Sequence, residues 1–197
     1  MSEANVTRPR IEPGTFRQTG PAIWAFSRIA GVVTGTRPPH VFTTLGHNRG
    51  LFWGWLHFAG KLMPGGTLPR YQSEMLILRV AHLRDCAYEF EHHRKLGKRA
   101  GITDEQVRAL TTDLDSGPWN PRERVLLKTA DALVANNDLT DAQWERLSSE
   151  VSPKTAIEVL MLIGHYNMLA TTLITLRVQP DQPSRMAKLR RRARKNR

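Results

Sequence analysis

The chain lacks the sequence patterns of disulfide frameworks, β-sheets and membrane spans. Only one of its 197 residues is cysteine, which excludes an intramolecular disulfide and a cysteine-rich zinc site. No apolar run approaches the roughly 20 residues of a membrane span, and residues 1–16 lack the apolar core of a secretory signal. No segment alternates apolar and polar residues as a half-buried strand does. We therefore expect an all-α, cytoplasmic protein without a membrane partner.

Acidic residues are absent from the C-terminal end of the chain. Residues 185–197 hold eight Lys or Arg and no Asp or Glu, so this segment supplies most of the net charge of +11. A block of like charges is typical of a disordered, solvated tail, which we predict over residues 181–197. Weak contact with nucleic acid or another anionic surface is the alternative. No aromatic residue lies among the basic ones, so base stacking by the tail is not expected.

Residues that interrupt regular structure are concentrated near the N-terminus. Residues 1–21 are polar and contain three prolines and two glycines, from which we predict an irregular arm. The remaining chain is long enough for one well-packed core, and two cores would be cramped. We predict a single helical domain over residues 22–180.

The central stretch, residues 71–110, carries most of the chemically versatile side chains. Apolar residues surround most of the segment 68–83, which indicates a buried helix. Asp85 is placed to cap a second helix over residues 86–100. Thr103 then opens a capping box and a third, short helix. Residues 121–178 loosely repeat the order of long helix, capping-box helix and long helix, so we predict two similar helical units.

Three side chains of the second predicted helix share one face. A helix advances about 100° per residue, which places Cys86, Glu89 and His93 within about 60° of arc. Glu74 lies 12 residues before Cys86, in the buried helix, and a hairpin of the two helices would bring Glu74 towards that face. We predict that these four residues form a catalytic site for a small-molecule substrate, without a metal ion or another cofactor.

The chemistry of this set is that of acids, bases and a thiol. A buried carboxylate has a raised pKa and exchanges protons near neutral pH. A histidine on the same face relays that proton or pairs with a thiolate. Cys86 lies near a helix N-terminus, which favours the thiolate, whereas the neighbouring Glu89 disfavours it. The reactivity of the thiol is therefore open at this stage.

Each of these residues has a structural alternative. A lone cysteine in a helical protein is often a small buried apolar residue. Glu74 needs a partner if it is buried, and Arg79 is a possible one. His92 and His93 cannot face the same way, and the spacing from Cys86 favours His93 as the inward residue.

A metal site is the further alternative. Glu89 and His92 are three residues apart, as in di-iron helical bundles, which need a second such pair and two more glutamates. The sequence has no second Glu-x-x-His, and the nearest candidates, Glu158 and His165, are seven apart.

The central stretch resembles the carboxymuconolactone decarboxylase and alkylhydroperoxidase-D-like family. The resemblance lies in Glu74 with the following MLILRVAHL, in the segment CAYEFEHH from Cys86, and in AGITDEQV from residue 100. Weaker similarity at residues 65–69 and 163–168 extends it, and the family core would cover residues 40–178. The family implies an all-helical fold that assembles into trimers or hexamers.

The resemblance also implies roles for the site residues. Peroxidase members carry a glutamate before a Cys-x-x-Cys motif and a histidine four residues after the second cysteine. Glu74, Cys86 and His93 match the glutamate, the first cysteine and the histidine. Glu89 stands at the second cysteine, so the disulfide that completes the peroxidase cycle cannot form within this chain. In the lactone decarboxylase branch, carboxylate and histidine would instead move protons on a small cyclic acid.

Three functional hypotheses follow. We favour a thiol-dependent, peroxidase-like oxidoreductase that uses Cys86 with Glu74 and His93 and reduces a hydroperoxide through a sulfenic acid. The second is a cofactor-free proton-transfer enzyme on a small organic acid or lactone, with Glu74 or Glu89 as base. The third is a non-catalytic homo-oligomer with a relic pocket.

Overall fold

The structure, a computed structural model, describes residues 8–184, and these residues form α-helices joined by short connections. Within them no strand occurs, apart from one isolated bridge between Thr36 and Pro183. The all-α prediction is confirmed. The predicted basic tail lies outside the described residues from position 185 onwards. The helices of the described chain are α1 (Phe16–Thr34), α2 (His40–Leu45), α3 (Arg49–Leu62), α4 (Arg70–Leu83), α5 (Ala87–Ala100), α6 (Asp104–Thr111), α7 (Pro121–Asn136), α8 (Asp141–Glu150) and α9 (Pro153–Leu176).

The described residues divide into two compact units. Unit 1 contains residues 8–57 and 173–184, and unit 2 contains residues 58–172. The site residues named above all lie in unit 2. Our prediction of a single domain over residues 22–180 stays a prediction.

The first helix begins earlier than the sequence predicted. We expected an irregular arm up to residue 21, but α1 starts at Phe16 and continues through a break at Gly20. Gly20 has φ of 80°, a conformation that costs glycine little, and Pro21 then opens the main part of the helix. The Gly-Pro pair is therefore a kink inside α1, and the predicted arm is wrong for residues 16–21.

Helix α4 is the centre of unit 2 and packs against α5, α6 and α7. Nine of its fourteen residues are buried, including the apolar run Met75, Leu76, Ile77 and Leu78, as its nearly continuous apolar circumference predicted. Arg79 fastens this helix to its neighbours: its guanidinium donates to both carboxylate oxygens of Asp131 at 2.6 and 3.1 Å and to the carbonyl of Leu110.

The turn between α4 and α5 differs in detail from the prediction. Asp85 does not cap α5; Cys86 is the N-cap residue, and Asp85 has φ of 52° in the left-handed region. Three residues must reverse the chain here, and aspartate is among the few residues that tolerate this conformation. The amide of Cys86 donates to the carbonyl of Ala81 at 2.8 Å, which closes the end of α4.

Helices α4 and α5 approach each other closely at one glycine. A Cβ at Gly97 would lie 3.0 Å from Cδ1 of Ile102, 3.3 Å from Cδ1 of Leu78 and 3.7 Å from Cβ of Glu74. Glycine is therefore required for the close helix contact one turn beyond His93. This contact holds Glu74 beside α5.

Side-chain caps define the starts of α6, α7 and α8. Thr103, Asn120 and Thr140 each accept a hydrogen bond from the backbone amide three residues on, in a reciprocal capping box. The boxes at Thr103 and Thr140 were visible in the sequence. They explain why the predicted starts of α6 and α8 agree with the structure.

Helix α9 is more apolar than we expected of any segment in this chain. By length and composition alone it could cross a membrane, with a mean hydropathy of 1.5 over an 18-residue window. We expected no segment of this kind, and within the described residues α9 is the exception. The same composition occurs in central helices of folded domains, and α9 buries Val159, Leu162 and Leu169.

Candidate functional site

Glu74 and His93 form a buried pair between α4 and α5. The Nδ1 atom of His93 lies 2.7 Å from Oε2 of Glu74, and the two side chains are 8% and 0% exposed. An ionised carboxylate only accepts hydrogen bonds, so Nδ1–H of His93 donates. In the neutral imidazole this bond leaves the lone pair on Nε2 of His93, and that tautomer can act as a base at this atom.

The cation beside Glu74 is Arg70. Its guanidinium lies 2.6 Å from Oε1 of Glu74, one helical turn earlier on α4. The suggested partner Arg79 is wrong, because that side chain faces α6 and α7 and pairs with Asp131. The i, i+4 spacing of Arg70 and Glu74 was the signal available in the sequence, whereas Arg79 lies about 140° around the helix from Glu74.

Glu89 is a buried carboxyl group without a hydrogen bond in the described part of the chain. The residue is 1% exposed, and neither carboxyl oxygen has a partner. Burial raises its pKa to about 8, since the charged form loses its hydration. Glu89 therefore holds a proton at neutral pH and gives it up just above. It lies one turn before His93 on the same face of α5, as predicted.

Cys86 is buried, and its surroundings disfavour the thiolate form of its side chain. Burial first, and then the negative charge of Glu89, raise its pKa to about 11, against a smaller opposing effect of the amides of Glu89 and Tyr88. The residue is 2% exposed. It borders a shallow surface cavity of about 240 Å³ whose lining also includes Asp85 and Phe90, but not Glu74, Glu89 or His93.

Two residues of α9, Tyr166 and His165, lie beside the Glu74–His93 pair. The sequence did not predict them as site residues. The ring of Tyr166 packs edge-on against His93 at 5.1 Å between centroids, and His165 packs against Tyr166 at 5.2 Å. Burial and the charges of Glu89 and Glu74 hold the pKa of Tyr166 well above its usual range. Burial, with a contribution from His93, lowers the pKa of His165 to about 4. Only their place in the resemblance, residues 163–168, pointed towards them.

The two adjacent histidines of α5 face different surroundings, as predicted. His93 is buried, whereas His92 is half-buried. His92 stacks parallel to the ring of Tyr88 at 6.4 Å. Burial, together with neighbouring cations including Arg70, lowers the pKa of His92 to about 3, so it is neutral at physiological pH.

Glu158 and His165, which we considered for a second metal-binding motif, make structural contacts instead. Glu158 accepts hydrogen bonds from the backbone amides of Thr67 and Leu68 and thereby holds the segment before α4. His165 lies beside Phe58 and Tyr166. Across residues 8–184, no three His, Cys, Asp or Glu side chains are close enough together to hold a metal ion.

Residues 49–132 match the sequence model of the carboxymuconolactone decarboxylase family. The resemblance to this family that the sequence predicted is confirmed over these residues. The matched residues include Glu74, Cys86, Glu89 and His93, while Tyr166 lies beyond the matched segment. Comparison of the sequence with curated proteins finds no match.

Solved structures share the fold of this chain at low sequence identity. An AhpD-core, uncharacterized peroxidase-related protein from Ralstonia eutropha JMP134 is 18% identical, with a TM-score of 0.77 over 87% of this chain and 92% of that one. A peroxidase-related protein from Silicibacter sp. TM1040 is 17% identical, with a TM-score of 0.76 over 92% and 96%. The predicted AhpD-like fold is confirmed.

A third similar structure has a different described activity. The debrominase Bmp8, as a cysteine-to-alanine variant in complex with 2,3,4-tribromopyrrole, is 17% identical, with a TM-score of 0.73 over 91% of this chain and 94% of that one. Proteins of this fold are thus described with more than one chemistry.

Proposed function

We propose that this chain is a cofactor-free acid–base enzyme that moves a proton on a small organic acid or lactone. The observation that carries the proposal is that one face of α5 holds both a buried carboxyl group without a hydrogen bond and a histidine that contacts a carboxylate. Glu89 keeps its proton at neutral pH, because its carboxyl is buried without a partner. His93, oriented by Glu74, presents a lone pair on Nε2.

The surroundings of His93 and Glu89 determine which of them is the base and which is the acid. Nε2 of His93 is the base that removes a proton from the substrate. Glu89 is the acid that donates its proton to the developing negative charge on a carbonyl or leaving oxygen. A general acid whose pKa lies near the working pH, as that of Glu89 does, typically contributes 10²- to 10⁴-fold to the rate. The Glu74–Arg70 ion pair keeps the imidazole in the required tautomer.

The proposal agrees with the activity after which the family is named. It also explains why a carboxyl group replaces the second cysteine of the peroxidase motif at position 89. A dithiol cycle needs two thiols, but an acid–base cycle needs the carboxyl.

The test is hydrogen–deuterium exchange and turnover by NMR, with unsaturated five-membered lactones that carry a carboxylate and with β-keto acids as substrates. Glu89→Gln keeps the shape but cannot transfer a proton, and we expect a loss of about 100-fold or more. Glu91→Gln, an exposed acid on the same helix, and Cys86→Ala should each keep activity within about threefold. Full activity of Glu89→Gln would contradict the proposal.

A one-cysteine peroxidase is the second candidate, because two structures of the same fold are described as peroxidase-related and Cys86 borders a surface cavity. In that cycle the thiolate would attack a hydroperoxide and release an alcohol, and an external thiol would reduce the sulfenic acid. Hydroperoxide consumption with a dithiol reductant, abolished in Cys86→Ser and unchanged in Glu89→Gln, would favour it over acid–base chemistry.

A further inference from the structure

Three cations of unit 2 lie around the ring of His92. Lys95 and Arg99 follow His92 by three and seven residues on α5, which places the three side chains within about 60° of arc. The third cation, Arg70, comes from α4. Burial lowers the pKa of His92 most, followed by the charge of His93 and then by those of the three cations, so all three act on one ring. We call Arg70, Lys95 and Arg99 the cation cluster.

The cation cluster adjoins the candidate catalytic pair. The ring centroids of His92 and His93 are 5.3 Å apart. Arg70 lies 2.6 Å from Oε1 of Glu74, while its side chain stays 42% exposed. It therefore connects the buried Glu74–His93 pair with the surface on which Lys95 and Arg99 are exposed. An anion held by the cluster would lie beside the imidazole that we propose as the base.

Acidic neighbours neutralise the other cations of α5 but not those of the cluster on the same helix. Arg94 and Lys98 form ion pairs at 3.1 and 3.4 Å with carboxylates of α5 and α6. Lys95 and Arg99 make no ion pair within residues 8–184. Their charged groups are therefore available to an anion from solution.

We propose that the cation cluster binds the carboxylate of the small organic acid on which His93 and Glu89 act. This inference rests on the proposed function and assigns Lys95 and Arg99 as residues that determine specificity for an anionic substrate. Cationic donors at the edge of a site attract a carboxylate and form charge-assisted hydrogen bonds with it. Binding the part of the substrate that does not react orients the part that does.

The extent of the cation cluster favours a small acid over a polyanion. Nucleic acid is bound through many phosphate contacts spread over a basic surface. The cluster holds three charges around one half-buried ring, and the neighbouring Arg94 and Lys98 are already paired. This arrangement matches the charge and size of one carboxylate-bearing molecule.

The first measurement is titration calorimetry of the full-length protein at low salt with succinate, and with succinamide as an uncharged probe of the same length. We expect only succinate to bind. Lys95→Gln and Arg99→Gln should each weaken that binding by about fivefold to tenfold, because each removes a charge-assisted hydrogen bond. The matched controls are Arg94→Gln and Lys98→Gln, which replace paired cations on the same helix and should bind within about twofold of wild type.

The second measurement separates this inference from the proposed function. With an acid that the wild type turns over, Lys95→Gln and Arg99→Gln should raise KM by about tenfold and affect kcat far less, since the cluster binds a part of the substrate that does not react. Glu89→Gln should instead lower kcat. Succinate binding that depends on Lys95 and Arg99, in a protein whose turnover does not depend on Glu89, would support the cation cluster and contradict the acid–base proposal.

Three results would overturn the inference about the cation cluster. The first is the absence of succinate binding, or equal binding of succinate and succinamide. The second is an equal loss of succinate affinity in Lys95→Gln and in the control Arg94→Gln, which would reflect only the general charge of α5. The third is unchanged succinate affinity in both Lys95→Gln and Arg99→Gln, even where Glu89→Gln abolishes turnover.

Discussion

The residue at position 89 decides much of the chemistry open to this protein. Glu89 raises the pKa of the neighbouring thiol and is itself held protonated at neutral pH by burial. One substitution relative to the peroxidase motif therefore weakens a nucleophile and supplies an acid. The Glu74–His93 pair is compatible with either chemistry, which is why the sequence left the two hypotheses open.

The first prediction concerns the pH dependence of stability. The pKa of Glu89 is about 8 in the folded state and near 4.5 in the unfolded chain, so the folded state binds the additional proton between these values. Stability is therefore greatest below about pH 4.5 with respect to this group and falls as pH rises to about 8. Urea unfolding at pH 5 and pH 8 should show Glu89→Gln becoming more stable relative to wild type at the higher pH, by a few kcal/mol at most.

The control for this prediction is Glu91→Gln, because that carboxylate is 54% exposed and pairs with Arg94 at the surface. It should change the free energy of unfolding by less than about 0.5 kcal/mol at both pH values. A pH-independent difference between Glu89→Gln and wild type would show that burial does not perturb this carboxyl.

The second prediction concerns the thiol. With a pKa of about 11 and 2% exposure, Cys86 should react with iodoacetamide at pH 7.5 at least about 100-fold more slowly than an exposed cysteine. The comparison protein is Cys86→Ser with Ser148→Cys, an exposed site on α8. Glu89→Gln should accelerate the reaction at pH 9, because it removes the charge that disfavours the thiolate. Equal rates for the native and introduced cysteines would contradict the burial of Cys86.

At the scale of elements, the site depends on how closely α4 and α5 approach. Neither helix carries the site by itself: Arg70 and Glu74 lie on α4, whereas Glu89 and His93 lie on α5. Gly97 permits the approach, and the Arg79–Asp131 pair holds α4 against α7. The relative position of the two helices therefore sets the 2.7 Å contact between Glu74 and His93.

The third prediction tests this contact. Gly97→Val places methyl groups against Ile102 and Leu78, where even a single Cβ would lie 3.0 and 3.3 Å from the nearest atoms. We expect a loss of about 1–3 kcal/mol in the free energy of unfolding, measured with urea, from overpacking. Gly54→Val in α3 is the control, since a Cβ there meets nothing within 4 Å, and it should change stability by less than about 1 kcal/mol. Equal effects would refute the close approach.

At the scale of the whole molecule, we expect copies of this chain to assemble. The family resemblance led us to predict a homo-oligomer, a trimer or hexamer, and this stays a prediction. Ile157, Met161 and Met168 form an exposed apolar row on the part of α9 that lies in unit 2. An exposed row of this kind is typical of contact surfaces between protein chains.

The fourth prediction follows from that row. Sedimentation velocity of the wild type should give three or six times the mass of the monomer. Met168→Glu should shift the distribution towards smaller species, because burying an unpaired charge in an interface is costly. Thr171→Glu, a polar and exposed position one turn further along α9, is the matched control. A wild-type monomer at all concentrations would contradict the prediction.

Spacing along single helices was predictable from the sequence. The face shared by Cys86, Glu89 and His93 follows from helical periodicity, and the starts of α6 and α8 follow from their capping boxes. The ion pair of Glu74 with Arg70 also obeys an i, i+4 rule. Arg79, which we expected as the partner, lies on a different face of α4 and pairs with Asp131.

Contacts between distant segments were decided only by the tertiary structure. Tyr166 is 77 positions after Glu89, and no local pattern places its ring against His93. The pKa values of Glu89 and Cys86 likewise depend on how completely other helices exclude water. Local hydrogen bonding and the 3.6-residue period determined the helices and their faces, because these act over a few residues. Burial determined the chemistry of the site, because it requires the packed helices to be in place together.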